Sequence, residues 1–284
     1  VAVLITATEL AAALDSSTPP VVLDVRWRLT VAGGARYDGH ADYLSGHIPG
    51  AVFVDLDTEL AGHGPATEGR HPLPTPTDFQ AAARRWGVEA DSAVVVHDGE
   101  GNLAAARAWW LLRWAGLSDV RLLDGALPAW VAEGRPLDNG EVVPAPGSFT
   151  VTPGSVPTID ADTAATWASQ GGVLIDARAA ERYRGETEPI DPKAGHVPGA
   201  LNAPTGGNLA DDGRFRSPAD LLARFTALGV TDQTRVAAYC GSGVTAAHEV
   251  AALAIAGFEA ALYPGSWSQW SNQDRPVATG PSAG

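Results

Sequence analysis

Cys240 is the only cysteine in 284 residues, and methionine is absent altogether. One thiol excludes an internal disulfide and any cysteine-rich metal centre. HExxH and CxxC are missing and the seven histidines are scattered, so no metal or organic cofactor is expected. Basic residues are scarce, 19 against 33 acidic ones, for a net charge of −14. That balance argues against a broad nucleic-acid or anionic-membrane face, and no basic patch lies between aromatics. No apolar run reaches the length of a membrane span. The start, VAVLITATELAAALDS, has no basic region and carries Glu9 and Asp15. It reads as a strand or turn followed by a helix, not as a signal peptide. A soluble, cytoplasmic protein is therefore expected. Lack of methionine even at position 1 suits a processed or partial chain and carries no functional reading.

Hydrophobic residues make up 45% of the chain, ample for one large or two medium domains. The sequence also repeats itself. GHIPGA at 46–51 returns as GHVPGA at 195–200, VVLDVRW at 21–27 as GVLIDAR at 172–178, and RLLDGALPAW at 121–130 as ALYPGSWSQW at 261–270. AVVVHD at 93–98 is echoed by RVAAYC at 235–240. Blocks in the same order at nearly constant spacing indicate two copies of one domain. The Gly- and Pro-rich stretch at 134–158 is the join. It divides the chain into a first domain at 1–138, a linker at 139–155 and a second domain at 156–284. Val142, Val143, Phe149 and Val151 suggest that the linker packs as ordered coil.

Within each copy, short β-branched runs alternate with longer helical patterns. VLIDA (173–177) and RVAAYC read as strands, and EAALYPG as a strand and turn. SPADLLARFTALG (217–229) reads as a helix with Ser217 as N-cap and Pro218 at its first position. TAAHEVAALAIAG (245–257) reads as a helix ended by Gly257. The fold class expected is α/β: two three-layer α/β/α domains, each around a mostly parallel sheet. Ligands bind such sheets beyond the carboxyl ends of their strands.

Cys240 lies there, as the last residue of the strand RVAAYC. Gly241, Ser242, Gly243 and Val244 connect it to a helix starting near Thr245. Two glycines allow a tight curl that turns backbone N–H groups inward, and the helix N-terminus adds positive potential. Such a bowl stabilises a thiolate, or a persulfide bearing an outer, negatively charged sulfur. The matching position in the first copy is Asp98, so that copy keeps the scaffold without a nucleophile.

With these blocks in place, the chain resembles the tandem-domain rhodanese family of sulfurtransferases. LDVRW, GHIPGA, AARAWW, LLDG–AW, DAR–ER–G, GHVPGA, CGSGVTA and PGSWSQW carry the likeness over essentially the whole chain. The resemblance implies transfer of sulfane sulfur from thiosulfate or 3-mercaptopyruvate through a persulfide on Cys240. The partners implied are a small anionic donor and a thiophilic acceptor: cyanide, a small thiol or a thioredoxin-like protein. The loop from Cys240 to Thr245 is similar to that of mercaptopyruvate sulfurtransferases. Their serine–histidine–aspartate relay maps onto Ser242, His71 in GRHPLP and Asp57 in FVDLD. A donor-binding arginine maps onto Arg182, with loop positions Gly241, Gly243, Val244 and Thr245 around the sulfur. A second arginine of those enzymes is replaced here by Ile190, after Glu188–Pro189, and Arg184 or Lys193 are the candidates to compensate.

Other conspicuous residues read as structure. The Asp24–Arg26 and Asp176–Arg178 pairs occur in both copies, as do His47 and His196, so they serve the scaffold. His248 reads as an exposed helix residue, and most of the nine tryptophans as packing, with Trp27 and Trp267 as possible cleft walls. A cysteine-dependent phosphatase needs an arginine six positions after the cysteine, where this chain has Ala246. An arsenate reductase would need further cysteines. The alternative to an enzyme is a persulfide carrier or regulatory module that does not turn over.

Overall fold

The computed structural model describes residues 2–29 and 37–284. Its first sheet contains β1 (Leu4–Ile5), β2 (Val21–Asp24), β3 (Val52–Phe53), β4 (Val94–His97) and β5 (Val120–Leu123), in the order β1-β5-β4-β2-β3. Around it run α1 (Ala7–Leu14), α2 (Gly39–Ser45), α3 (Leu56–Glu59), α4 (Pro76–Arg85), α5 (Ala105–Trp114) and α6 (Ala126–Ala132). The second sheet contains β6 (Val173–Asp176), β7 (Leu201–Asn202), β8 (Val236–Tyr239) and β9 (Ala260–Leu262), ordered β7-β6-β8-β9. Its helices are α7 (Ala161–Thr166), α8 (Ala180–Tyr183), α9 (Pro218–Thr226), α10 (Thr245–Ile255) and α11 (Ser266–Ser271). Every strand pair within the two sheets is parallel.

The strands are short apolar runs because helices cover both sheet faces. Register repeats between the copies: Asp24 pairs with His97 as Asp176 pairs with Tyr239. Asp98 and Cys240 therefore leave equivalent strands at equivalent points. The second copy replaces β1 with a lone parallel bridge from Thr158 to Leu262. The helix signals act as read: the Ser217 hydroxyl accepts from the Asp220 N–H at 3.2 Å, Pro218 opens α9, and Gly257 at φ +94° stands just past the end of α10.

Helices α5 and α10 are buried on nearly every side and pack against each other between the halves. One hydrophobic core, including Val96, Trp110, Phe225, Ala247 and Leu253, runs through both copies. The linker is ordered coil, with Phe149 buried and its N–H donating to the Val88 carbonyl at 3.1 Å. Val142 and Val151 pack against the core, whereas Val143 is 83% exposed. Val143 departs from the expectation because successive extended residues point to opposite sides, and Val142 takes the inward place. Among the described residues, no helix is long and apolar enough to cross a membrane.

The repeated polar pairs are buried struts. Arg178 grips both oxygens of Asp176 and donates to the Gly195 carbonyl at 2.6 Å; Arg26 does the same with Asp24 and the Gly46 carbonyl. His47 Nδ1 bonds the Tyr43 carbonyl and stacks on that tyrosine, and His196 does so with Tyr183. Each ties the turn after a helix to the helix itself. Burial works against the Arg178 charge, yet attraction to Asp176 holds its pKa above the ordinary value. Removing one partner of such a pair strands the other in a dry interior. Arg178→Met is therefore expected to lower unfolding free energy by about 3–5 kcal/mol, read as a shift in urea midpoint at unchanged slope.

Candidate active site

Cys240 is the first residue beyond β8 and not its last, because its N–H leaves the ladder and donates to the Ser266 hydroxyl at 3.1 Å. Gly243, at φ +80°, turns its N–H back onto the Cys240 sulfur at 3.1 Å. It is the one loop amide hydrogen-bonded to the sulfur among the described residues. The loop runs directly into the N-terminus of α10, and the sulfur residue is 2% exposed. The start of α11 pins it from the other side: Trp267 N–H donates to the Cys240 carbonyl and Ser268 N–H to that of Gly241. Ser266 itself sits at φ +54°. A left-handed conformation in a residue with a side chain is strained, and such strain gathers at working sites.

In the first copy the equivalent turn surrounds Asp98. Its carboxylate accepts N–H bonds from Glu100, Asn102, Ala104 and Ala105 at 2.8–3.1 Å. Burial pushes the Asp98 pKa up, while the four amides pull it down. The turn that cradles an anion is thus occupied by its own side chain in one copy and carries a sulfur in the other.

Ser242, 5% exposed, meets a histidine from the opposite half: its hydroxyl is 2.7 Å from His71 Nδ1. His71 Nε2 lies 3.6 Å from Asp57. Trp27 orients that carboxylate through its indole N–H at 2.8 Å and packs edge-on against the His71 ring. Burial lowers the His71 pKa, the positive charges of Arg107 and Arg70 reinforce it, and Asp57 opposes it. A neutral ring with its proton on Nε2, facing Asp57, leaves Nδ1 free to accept from Ser242. Asp57 and His71 of one half and Ser242 of the other so stand in one line of contacts. A cleft of about 540 Å³ lined by Trp27, Asp57, Arg70 and His71 opens beside it.

Arg182 pairs with Glu188 at 2.6 Å and Asp191 at 3.3 Å. Its remaining nitrogen, Nη1, faces Gly241, 3.5 Å from where a Cβ there would stand. Arg70 arrives from the first half, bonds the other oxygen of Asp191 at 2.6 Å, and brings Nη2 to 3.3 Å from the same point. One carboxylate thus holds two guanidinium groups over the loop. The candidates to offset Ile190 lie elsewhere: Arg184 pairs with Glu186, and Lys193 bonds the Gln273 carbonyl. The second cation beside the loop is Arg70.

Val244 is buried at the base of the loop, and Thr245 begins α10. His248 is fully buried, not exposed: it stacks on Phe215, and its Nε2 lies 3.2 Å from the Gly101 carbonyl of the other half. Burial pushes its pKa down to about 4. Trp267 is also buried, beneath Arg178, whereas Trp27 does wall the cleft. Sequence reasoning missed Arg70, Arg107 and Ser266. Signals existed: Arg70 adjoins His71 in a block without a repeat partner, Arg107 is a lone charge in the apolar run AARAWW, and Ser266 stands where the first copy has Ala126.

A family model described as rhodanese-like domain matches residues 6–133 and 160–273. SseB of Mycobacterium tuberculosis, which carries the name putative thiosulfate sulfurtransferase, is 50% identical over 98% of this chain and 97% of its own. The human 3-mercaptopyruvate sulfurtransferase is 35% identical over 91% of this chain and 87% of its own. The crystal structure of SseA, a 3-mercaptopyruvate sulfotransferase from Escherichia coli, superposes with a TM-score of 0.80 at 33% identity, covering 94% of this chain and 99% of that one.

The loop geometry makes its two glycines unequal. A Cβ on Gly243 would strike the Pro264 carbonyl oxygen and sit at φ +80°, whereas one on Gly241 would meet only the tips of two arginines. Gly243→Ala is expected to cut any turnover that depends on Cys240 by about 100-fold, the cost of displacing a reacting group by roughly 1 Å. Gly241→Ala should lose less than about tenfold by the same reasoning. Steady-state assays with thiosulfate and 3-mercaptopyruvate measure both.

Proposed function

The chain belongs to the rhodanese family and is a sulfurtransferase that works through a catalytic cysteine, and we propose that Cys240 takes sulfur from 3-mercaptopyruvate, with thiosulfate as the lesser donor. The thiolate attacks the donor thiol sulfur. An S–S bond forms, the C–S bond breaks, and its electron pair stays on the methylene carbon. That carbon takes up the proton given off by the donor thiol, so the products are Cys–S–S⁻ and pyruvate. A thiophilic acceptor (cyanide, a small thiol or a thioredoxin-like protein) then removes the outer sulfur in a ping-pong cycle.

The observation that carries this donor preference is the 2.7 Å contact from Ser242 to His71, backed by Asp57. Sulfite leaves thiosulfate without needing a proton, whereas a carbon leaving group needs one delivered. A buried proton relay therefore serves the mercaptopyruvate reaction and is idle in the other. Arg182 and Arg70 suit the donor carboxylate, since guanidinium forks match planar oxygen pairs. The amides of Gly241, Gly243, Val244 and Thr245 serve the outer persulfide sulfur once it forms.

Incubation with either donor followed by intact-mass measurement should show one added sulfur on the wild type and none on Cys240→Ser. Uptake without release to cyanide or thiols would mark a carrier instead of an enzyme. His71→Asn and Ser242→Ala are each expected to lower kcat/KM for 3-mercaptopyruvate by about 100-fold or more, while thiosulfate turnover changes only a few-fold. Equal losses with both donors would overturn the relay, and a wild type that favours thiosulfate would overturn the donor assignment. Because the His71 pKa lies below the ordinary 6.5, its neutral, proton-accepting form persists into mild acid. The acidic limb of kcat/KM for 3-mercaptopyruvate should accordingly fall below pH 6.5.

A further inference from the structure

Arg107 stands in α5, completely buried where the two halves meet. Its guanidinium donates to the carbonyls of Leu60 (3.2 Å), Gly243 (3.1 Å), His71 (3.0 Å) and Pro72 (3.3 Å). All four acceptors are neutral, and among the described residues no carboxylate pairs with it. A dry cation without a counter-ion is costly, and proteins seldom retain one. Burial pushes its pKa down to about 10, and the influence opposing that is the sulfur of Cys240. Arg107 grips the carbonyl of Gly243, the same residue whose N–H points at that sulfur.

The other charged groups around the sulfur are accounted for. Arg70 and His71 come from the segment before α4, and Arg182 from α8; Asp191 ties the two arginines together, and Asp57 stands behind His71. On α10, His248 bonds Gly101 and Glu249 accepts from Asn208. Tyr239 on β8 bonds the Val197 N–H, and α11 presents serines and tryptophan. Arg107 alone among these cations is both fully buried and without an acidic partner.

We propose that Arg107, supplied by the half without a nucleophile, is the counter-ion of the Cys240 thiolate and of the persulfide that replaces it. It is a positioning residue, acting through Gly243 and across the seam. Burial is the main influence against protonation of His71, and the same charge adds to it, so one cation faces both the sulfur and the relay. The inference rests on the sulfur-transfer reading above.

The ultraviolet absorbance of the thiolate, followed against pH with the matching Cys240→Ser protein subtracted, reports this one thiol directly. The wild-type midpoint is the reference against which the Arg107 variants are read. It should be unmoved by raising salt from about 0.05 M to about 1 M, because a buried pair escapes the screening that reaches exposed charges. Arg107→Gln should raise the midpoint by about one unit or more, and Arg107→Lys, which keeps the charge, by less than about half a unit. Two results would overturn the proposal: a midpoint that climbs with salt and so belongs to Arg70 and Arg182, or a folded Arg107→Gln protein titrating like the wild type. Should Arg107→Gln fail to fold, the salt series on the wild type decides. Sulfur uptake by mass is scored separately, so a protein that takes no sulfur from either donor would refute the function and leave the counter-ion intact.

Discussion

The packing of α5 on α10 ties the chemistry of this chain to its core. Each helix is apolar almost all round, so neither sheet alone can cover it, and each supplies the other's missing wall. The site hangs from that seam. The loop of Cys240 opens α10, Arg107 projects from α5, and the segment carrying His71 is held to α5 through its own carbonyl. A contact such as that from Ser242 to His71 crosses between the halves. It keeps its length only while the helices stay docked. A slip of an ångström at the seam would thus appear as lost turnover before it appeared as lost fold.

Duplication explains how one half came to support without reacting. Both halves build the same strand, turn and helix, and both brace the sheet with a buried Asp–Arg pair. They differ in what fills the turn. Asp98 satisfies four amides permanently with a carboxylate, which leaves no room for a ligand and no need for one. Cys240 takes one amide, and its backbone depends on Ser266, where the first half has Ala126 at almost the same left-handed φ. The strained backbone is inherited by both copies; the hydroxyl is present only where the nucleophile is.

Most of the architecture was legible because it rests on local pattern. The repeats give the two units, the apolar runs give strands covered on both faces, and the Ser217–Pro218 start of α9 follows from capping chemistry. The cysteine could be read from its position at a strand end before two glycines. What escaped was everything set by docking between the halves. His248 looks exposed by helical spacing, yet the other half covers it. Arg70 and Arg107 meet the loop from elements about 170 and 133 positions earlier in the chain, and no local period reports such an approach. Ile190 stands where the resemblance placed a second arginine, and the further cation beside the loop, Arg70, comes from across the seam and not from Arg184 or Lys193 nearby.

The charges near the sulfur divide the work in a way that net charge conceals. Arg70, Arg178 and Arg182 are matched by Asp176, Glu188 and Asp191, three against three, in one connected network. That network has almost no net field of its own. What it offers an anionic donor is direction: the nitrogens of Arg70 and Arg182 that face Gly241, held by carboxylates that fix where they point. A net positive charge has to come from a group without a partner, and Arg107 is that group, beside the positive end of α10. The remaining surface carries the chain's negative excess, but beyond roughly 8 Å in physiological salt such charges are screened, whereas a buried one is not. On the proposed reading, aim and attraction are therefore assigned to different arginines, the half-buried pair to the donor and the fully buried one to the atom that attacks it.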